Sequence, residues 1–153
     1  MKTLLPLAAI LCLTACHGKA ENLNAENELE MPDSTFVAVP NADSSIPVGV
    51  QILPANQSYD VNQAPGHLVV IDFNADWCAP CRQFAPIFEA AAQKFAGQVE
   101  FISVDVETHQ ELVQQLGIVS IPYLVFIQPD GTLNTWVGFL PQQEFVKAIE
   151  ELK

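Results

Sequence analysis

Apolar residues recur along the second half of the chain with two different periods, which predict alternating strands and helices. An almost continuous apolar run at 68–73 is typical of a strand covered on both faces, and the runs at 99–106 and 123–127 have the same character. Between the first two runs, positions 79–95 place one apolar side on a helix. That side is formed by Phe84, Ile87, Phe88, Ala91 and Phe95.

Three further elements complete the expected folded region. A short helix is expected at 110–116, and the turn residues 128–131 join strand 123–127 to a returning strand at 132–137. A last helix at 142–152 has its apolar side chains on one face. The order β-α-β-α-β-β-α predicts an α/β fold, with a central mixed β-sheet flanked by helices on both faces.

Candidate redox chemistry lies in Cys78-Ala79-Pro80-Cys81, which follows Trp77 at the start of the first predicted helix. Two cysteines at this spacing can close a small disulfide ring, and a helix N-terminus favours the thiolate of Cys78. A thiolate attacks a disulfide to form a mixed disulfide. Cys81, one turn later, would attack that mixed disulfide and release the reduced substrate.

Two other interpretations of the cysteine pair are a structural disulfide and half of a zinc site. A disulfide that closes so small a loop stabilises little through chain entropy. Zinc takes about four ligands, and the three histidines of the chain are scattered without paired spacing. We therefore expect thiol–disulfide exchange and no metal.

A carboxylate, Asp72, interrupts the first apolar strand six positions before Cys78. A buried carboxylate has a raised pKa and can exchange protons near neutral pH, as the deprotonation of Cys81 requires. The alternative is a carboxylate at a strand end that water solvates.

Pro122 belongs at a strand start because it has no N–H to donate, and the spacing alone leaves open whether the Ile121–Pro122 bond is cis.

The N-terminal residues have the composition of a targeting segment. Lys2 precedes an apolar run at 4–13, too short to span a bilayer but suited to a signal peptide. The following Leu13-Thr14-Ala15-Cys16 resembles a bacterial lipobox. Residues 1–15 are then a lipoprotein signal peptide, and the acylated Cys16 inserts into the lipid bilayer. An ordinary secretory signal is the alternative, and both place the protein outside the cytoplasm, where disulfides persist.

The following residues, 16–49, are polar and acidic, which predicts a lipidated, mobile linker before a folded domain at 50–153. The formal charge of the whole chain is −12, and an acidic surface argues against nucleic acid and anionic lipid as direct partners. Attachment to a membrane would depend on acyl chains. We expect a monomer that faces the periplasm, and the sequence leaves open which membrane holds it.

Five short motifs together resemble the thioredoxin family, in the family's order over residues 50–153. They are Ile71-Asp72-Phe73, the stretch from Ala75 to Cys81, Gly117-Ile118, Ile121-Pro122 and Val137-Gly138. The resemblance implies a thioredoxin fold in which Cys78 attacks, Cys81 resolves and Asp72 is the buried acid–base group. It also implies that Pro122 is a cis-proline packed against the cysteine pair.

The same resemblance implies a substrate groove next to the cysteines. Trp77, Ala79, Pro80 and Gly138 would line it, and the backbone of Ile121 would bind an extended substrate segment by β-pairing.

Three positions depart from the family's usual pattern. The dipeptide between the cysteines is Ala79-Pro80 instead of Gly-Pro, Asn74 stands where an aromatic residue is common, and Ser103 stands where many members have a lysine. Without that cation, Asp72 would ionise less easily. Arg82, directly after the pair, is interpreted either as a group that holds the thiolate or as a solvated helix residue.

The segment from Ala75 to Cys78 and the later Gly138-Phe139 are also similar to the C-terminal thioredoxin domain of the envelope electron transporter DsbD. This similarity implies a protein-disulfide reductase that acts on disulfide-bonded envelope proteins. A membrane electron donor of the DsbD type would reduce it again, and no bound cofactor is needed. The alternatives are an envelope disulfide oxidase and a non-catalytic binding or metal-delivery module on the same scaffold.

Overall fold

A computed structural model describes residues 46–153. The predicted signal peptide, Cys16 and most of the predicted linker lie outside the described residues. The elements in chain order are β1 (Val50–Ile52), β2 (Leu68–Asn74), α1 (Ala79–Lys94), β3 (Val99–Asp105), α2 (Gln110–Gln115), β4 (Tyr123–Ile127), β5 (Leu133–Val137) and α3 (Gln142–Leu152).

The five strands form one mixed sheet in the order β1-β3-β2-β4-β5. β3 runs parallel to both β1 and β2, whereas β4 is antiparallel to β2 and β5. This arrangement confirms the predicted mixed sheet flanked by helices. Its register pairs Asp72 with Ser103 and Phe73 with Tyr123, which brings polar residues of β2 and β3 side by side.

Alternate residues of β2 enter two separate apolar cores, which explains why the whole strand is apolar. Leu68 and Val70 pack in one core with buried residues of α1 and α3. Val69, Ile71 and Phe73 pack in the other, where α2 contributes Leu112. By the same alternation, Asp72 and Asn74 continue the row that faces α1.

Aromatic rings make up much of the core on the α1 side of the sheet. Phe145 of α3 lies at the centre of this group, with its ring centroid 5.1 Å from that of Phe84 and 6.0 Å from that of Phe88. The ring of Phe88 in turn meets Phe101 of β3 edge-on at 5.3 Å. These contacts join α1, α3 and the sheet into one packed unit below the cysteine pair.

The predicted elements agree with the structure to within about one residue at each end, apart from one strand. β1 was not predicted as a strand, although the folded domain was placed from residue 50. It has only three residues, and Gln51 and Ile52 are exposed, so it carries no alternating pattern to detect. No helix among residues 46–153 is long and apolar enough to cross a bilayer.

Candidate active site

The cysteine pair lies where the chain leaves β2 and enters α1. A turn after β2 is closed by the backbone N–H of Cys78, which donates to the carbonyl of Ala75 at 3.0 Å. Cys78 then caps α1 with extended backbone angles, φ −80° and ψ 104°, and Pro80 occupies the first turn. Proline is well tolerated there because its missing N–H has no partner inside a helix. Cys78 therefore sits at the positive end of the helix dipole.

Cys78 and Cys81 are joined by a disulfide, with their Cα atoms 5.3 Å apart. The backbone N–H of Cys81 donates to Sγ of Cys78 at 3.2 Å. Both cysteines are 4% exposed, and they pack with Ala75, Val106 and Ile121 in a small apolar cluster. Once the bond is reduced, the helix N-terminus and the Cys81 amide favour a thiolate at Cys78 over one at Cys81.

The predicted proline site lies at the same end of the sheet as the cysteines. The Ile121–Pro122 peptide bond is cis, and Pro122 is buried directly before β4, whose first residue pairs with Phe73 of β2. Gly138 donates its N–H to the carbonyl of Pro122 at 2.8 Å and has a φ of +92°, a region that favours glycine. The fold thus packs Ile121 against the cysteine pair and places Pro122 and Gly138 at the same end of the sheet.

An open pocket of about 390 Å³ lies beside the exposed indole of Trp77. Of the residues that line it, Trp77 and Ile121 were predicted from the sequence as site residues. The others were not, and they are Val106, Val113, Ile118, Val119 and Ser120. Val119 is 97% exposed. It lies in a loop with no hydrophobic period, so only its separation of two residues from Ile121 could have pointed to it. Ala79 and Pro80 are exposed at the start of α1.

Asp72 is buried on the α1 side of β2 and is 4% exposed. Burial raises its pKa to about 7, and a hydrogen bond from Asn74 partly opposes that rise. Its Oδ1 atom has no hydrogen-bond partner among the described residues. The predicted buried carboxylate is therefore present, in an environment where it can gain or lose a proton near neutral pH.

Asn74 and Ser103 form a hydrogen-bonded group with this carboxylate. Nδ2 of Asn74 lies 2.9 Å from Oγ of Ser103, 3.1 Å from the backbone carbonyl oxygen of Asp72 and 3.3 Å from its Oδ2. From the sequence, both residues are recognisable only as departures from the family pattern. The spacing of two residues between Asp72 and Asn74 on one strand was a signal for Asn74, whereas Ser103 reaches the carboxylate only through the register of β2 and β3.

A second pocket, of about 210 Å³, connects the carboxylate with the resolving cysteine. Asp72, Asn74, Ser103 and Cys81 all line it, and charged residues of α1 and of the preceding loop complete the lining together with apolar ones. A polar pocket of this size admits water. Asp72 and Cys81 thus line the same space, and water can enter it.

Arg82 is exposed, and its Nη1 donates to the backbone carbonyl of Asp76 at 2.7 Å. This contact fixes the loop between β2 and α1, a role that neither sequence interpretation had included.

The two described histidines are engaged elsewhere, since His67 contacts Glu100 at 3.0 Å and His109 contacts the Pro54 carbonyl at 3.1 Å. Within residues 46–153, no three His, Cys, Asp or Glu side chains are grouped to hold a metal ion.

Comparison with known proteins finds several thioredoxins. Residues 50–151 match the family model described as Thioredoxin. The thioredoxin of Borreliella burgdorferi is 37% identical over 82 residues, covering 54% of this chain and 70% of that protein. The thioredoxin of Bacillus subtilis is 33% identical over 97 residues, covering 63% of this chain and 88% of that protein.

A solved structure gives the same result for the fold. The crystal structure of Malassezia sympodialis thioredoxin superposes with a TM-score of 0.58 at 35% identity, covering 70% of this chain and 94% of that chain. The family match spans all five strands of the described region and nearly all of the last helix, and it contains the Cys78–Cys81 pair. The chain therefore belongs to the thioredoxin family, and it is a thiol–disulfide oxidoreductase of the thioredoxin type.

Proposed function

We propose that this protein is a lipid-anchored thioredoxin of the bacterial envelope, which reduces disulfide bonds in envelope proteins. The observation that carries the proposal is the Cys78–Cys81 pair at the N-terminus of α1, which directly follows an exposed tryptophan and shares a pocket with a buried carboxylate. This arrangement supplies a nucleophile, a resolving thiol, a base and an apolar contact surface.

The reaction begins with the reduced pair. The thiolate of Cys78 attacks one sulfur of the substrate disulfide, whose S–S bond breaks as a mixed disulfide forms. The substrate sulfur that was not attacked leaves as a thiolate and takes a proton. Cys81 then loses its proton and attacks the sulfur of Cys78, which releases the substrate sulfur that was held in the mixed disulfide. Two electrons have passed to the substrate, and the domain carries the Cys78–Cys81 disulfide.

Asp72 is proposed as the base for the second attack. Cys81 must become a thiolate before it can attack, and Asp72 lines the same pocket. Because its pKa is about 7, Asp72 is partly ionised near neutral pH, so it can accept the proton of Cys81 and later return it to the departing substrate sulfur.

Ile121 and Trp77 are proposed to hold the substrate segment. Within residues 46–153, the N–H and the carbonyl of Ile121 take part in no backbone hydrogen bond of a loop or turn. Both groups therefore remain available to an extended peptide. Trp77, 64% exposed, offers a rigid apolar contact beside the pocket of about 390 Å³. Ala79, Pro80 and Gly138 would complete this surface.

The reductive direction is proposed from the residues between the cysteines. A strongly oxidising protein needs a very stable Cys78 thiolate, and Ala79-Pro80 contributes no histidine to stabilise it. A membrane electron donor of the DsbD type would keep the pair reduced, because the cytoplasmic reductant is absent from the envelope.

Substituting the resolving cysteine tests the activity. Cys81→Ser should accumulate a mixed disulfide with a disulfide-bonded polypeptide such as insulin, because the attack that releases it is lost. Non-reducing gel electrophoresis with mass spectrometry detects the adduct at Cys78. The matched variant Cys78→Ser should form no adduct and reduce nothing. Reduction that persists in Cys78→Ser would contradict the mechanism, whereas no reduction by the unmodified protein would favour a non-catalytic module.

Replacing the buried carboxylate tests the proposed base in two ways. Asp72→Asn should slow insulin reduction about 10-fold or more at pH 7, because general-base help is lost. It should also stabilise the fold. Since the folded pKa of about 7 lies above the ordinary aspartate value of 3.8, the folded state binds more protons between these values, and stability falls as pH rises through this range.

The gain in unfolding free energy from Asp72→Asn should therefore be largest above pH 7, at most about 4 kcal/mol, and small near pH 4. Urea unfolding at pH 4 and pH 8 measures it. Asp60→Asn is the matched control, because Asp60 is exposed and local hydrogen bonds lower its pKa. An equal gain at both pH values would show that Asp72 does not titrate between them.

The redox state in living cells tests the direction. Acid quenching followed by alkylation with a mass-tagged maleimide should find Cys78 and Cys81 mostly reduced, and removal of the membrane donor should oxidise them. A pair that is mostly oxidised while the donor is present would reverse the proposed direction and identify an oxidase.

The lipid anchor is proposed from the four cysteines of the chain. Cys12 would be removed with the signal peptide, Cys16 would be acylated, and the other two form the redox pair. Cys16→Ser should release the protein from the membrane fraction and abolish its labelling with a palmitate analogue, while Cys12→Ser should change neither. Retention of Cys16→Ser in the membrane fraction would contradict the anchor.

A further inference from the structure

We propose that Asn74 is a positioning residue for disulfide exchange: it binds Oδ2 of Asp72 and Oγ of Ser103, so that Oδ1 of Asp72 carries the proton taken from Cys81. The inference rests on the proposed role of Asp72 as the base. It assigns a function to a residue that the family resemblance marks only as unusual.

The register of the sheet places the three side chains together. Asp72 pairs with Ser103 across parallel strands, and Asn74 follows two residues after Asp72 on the same face of β2. This face also holds Leu68 and Val70, which pack under α1, where Cys81 lies. Asn74 therefore closes the polar end of an otherwise apolar row.

The hydrogen-bonding capacity of Asn74 fixes its orientation. Its amide nitrogen has two hydrogens and three oxygen acceptors between 2.9 and 3.3 Å, of which two belong to Asp72 and one to Ser103. The reverse orientation would place the amide oxygen against two oxygens of Asp72. Oγ of Ser103 thus accepts from the same amide nitrogen as Asp72, and this contact keeps the nitrogen directed at the carboxylate.

The two carboxylate oxygens consequently differ. Oδ2 accepts a hydrogen bond from Asn74, which favours the charged form at that atom, whereas Oδ1 is buried and has no partner among the described residues. A proton therefore binds at Oδ1. The carboxyl group can then keep its bond from Asn74 at Oδ2 in both protonation states, so it need not rotate during the reaction.

Few charged groups face the carboxylate of Asp72, so no strong competitor displaces the Asn74 amide as its hydrogen-bond donor. β3 presents Asp105 beyond Ser103, with its Oδ1 bound to the N–H of Glu107. β4 places the apolar Leu124 in register with Asp72. The charged groups that line the shared pocket are Asp76 from the loop and Arg82 and Glu89 from α1. The guanidinium of Arg82 is bound to the Asp76 carbonyl.

The decisive experiment follows the titration of Asp72 directly. In the oxidised protein, the carboxyl ¹³C shift of Asp72 is recorded against pH for the wild type and for Asn74→Ala. Loss of the donor should raise the midpoint by ~1 pH unit, because Asn74 no longer stabilises the charged form of the carboxyl group. The pH profile of insulin reduction should move in the same direction, with reduction several-fold slower at pH 7.

Two further variants separate this role from a structural one. Asn74→Asp keeps the shape of the side chain and should raise the midpoint as well, since it removes the donor and adds a like charge. In the double variant Asn74→Ala/Ser103→Lys, a cation at position 103 should bring the midpoint back to or below the wild-type value. Asn134→Ala on β5, outside this hydrogen-bonded group, should leave it unchanged.

An unchanged midpoint in both Asn74 variants would overturn the inference, as would failure of the lysine to reverse the shift. Such a result would leave the proposed function intact, provided that Asp72→Asn still slows insulin reduction. If Asp72→Asn has no effect on the rate at any pH, the role of Asp72 as the base fails, and the role of Asn74 fails with it.

Discussion

The central strand β2 must be covered on both faces, because six of its seven side chains are buried. Helices α1 and α3 cover one face and α2 the other, and the neighbours β3 and β4 complete the backbone hydrogen bonding of β2. This double burial fixes the end of β2 in space and, with it, the turn that presents Cys78 at the start of α1. It also removes Asp72 from water, so the constraint that stabilises the fold produces the chemistry of the site as well.

The burial of Asp72 sets two requirements of the molecule, stability and catalysis, against each other. A carboxylate in this position destabilises the folded state whenever it is ionised, yet a base near the resolving cysteine needs a pKa close to the ambient pH. The apolar cores on either side of β2 are large enough to hold the strand in place despite this cost. Local rules that are broken inside an otherwise consistent structure commonly mark functional positions.

Most of the fold and the catalytic pair were predictable because each rested on a local pattern. The apolar runs located β2, β3 and β4, and the helical period located α1 and α3. β1 was missed since its side chains are largely exposed, and Val119 was missed because a loop has no period. The hydrogen-bonded group of Asn74 with Ser103 depends on pairing between strands 29 residues apart, and a single sequence does not give that register.

The two pockets at the disulfide have no lining residue in common. One contains Trp77 and Ile121, on the side proposed for substrate, and the other contains Asp72 and Cys81. A protein substrate that covers only the first pocket would leave the second one open to solvent. Solvent could still exchange protons with the carboxyl group of Asp72 while the mixed disulfide exists. The rate at which Cys81 releases the substrate would then not depend on the size of the substrate protein.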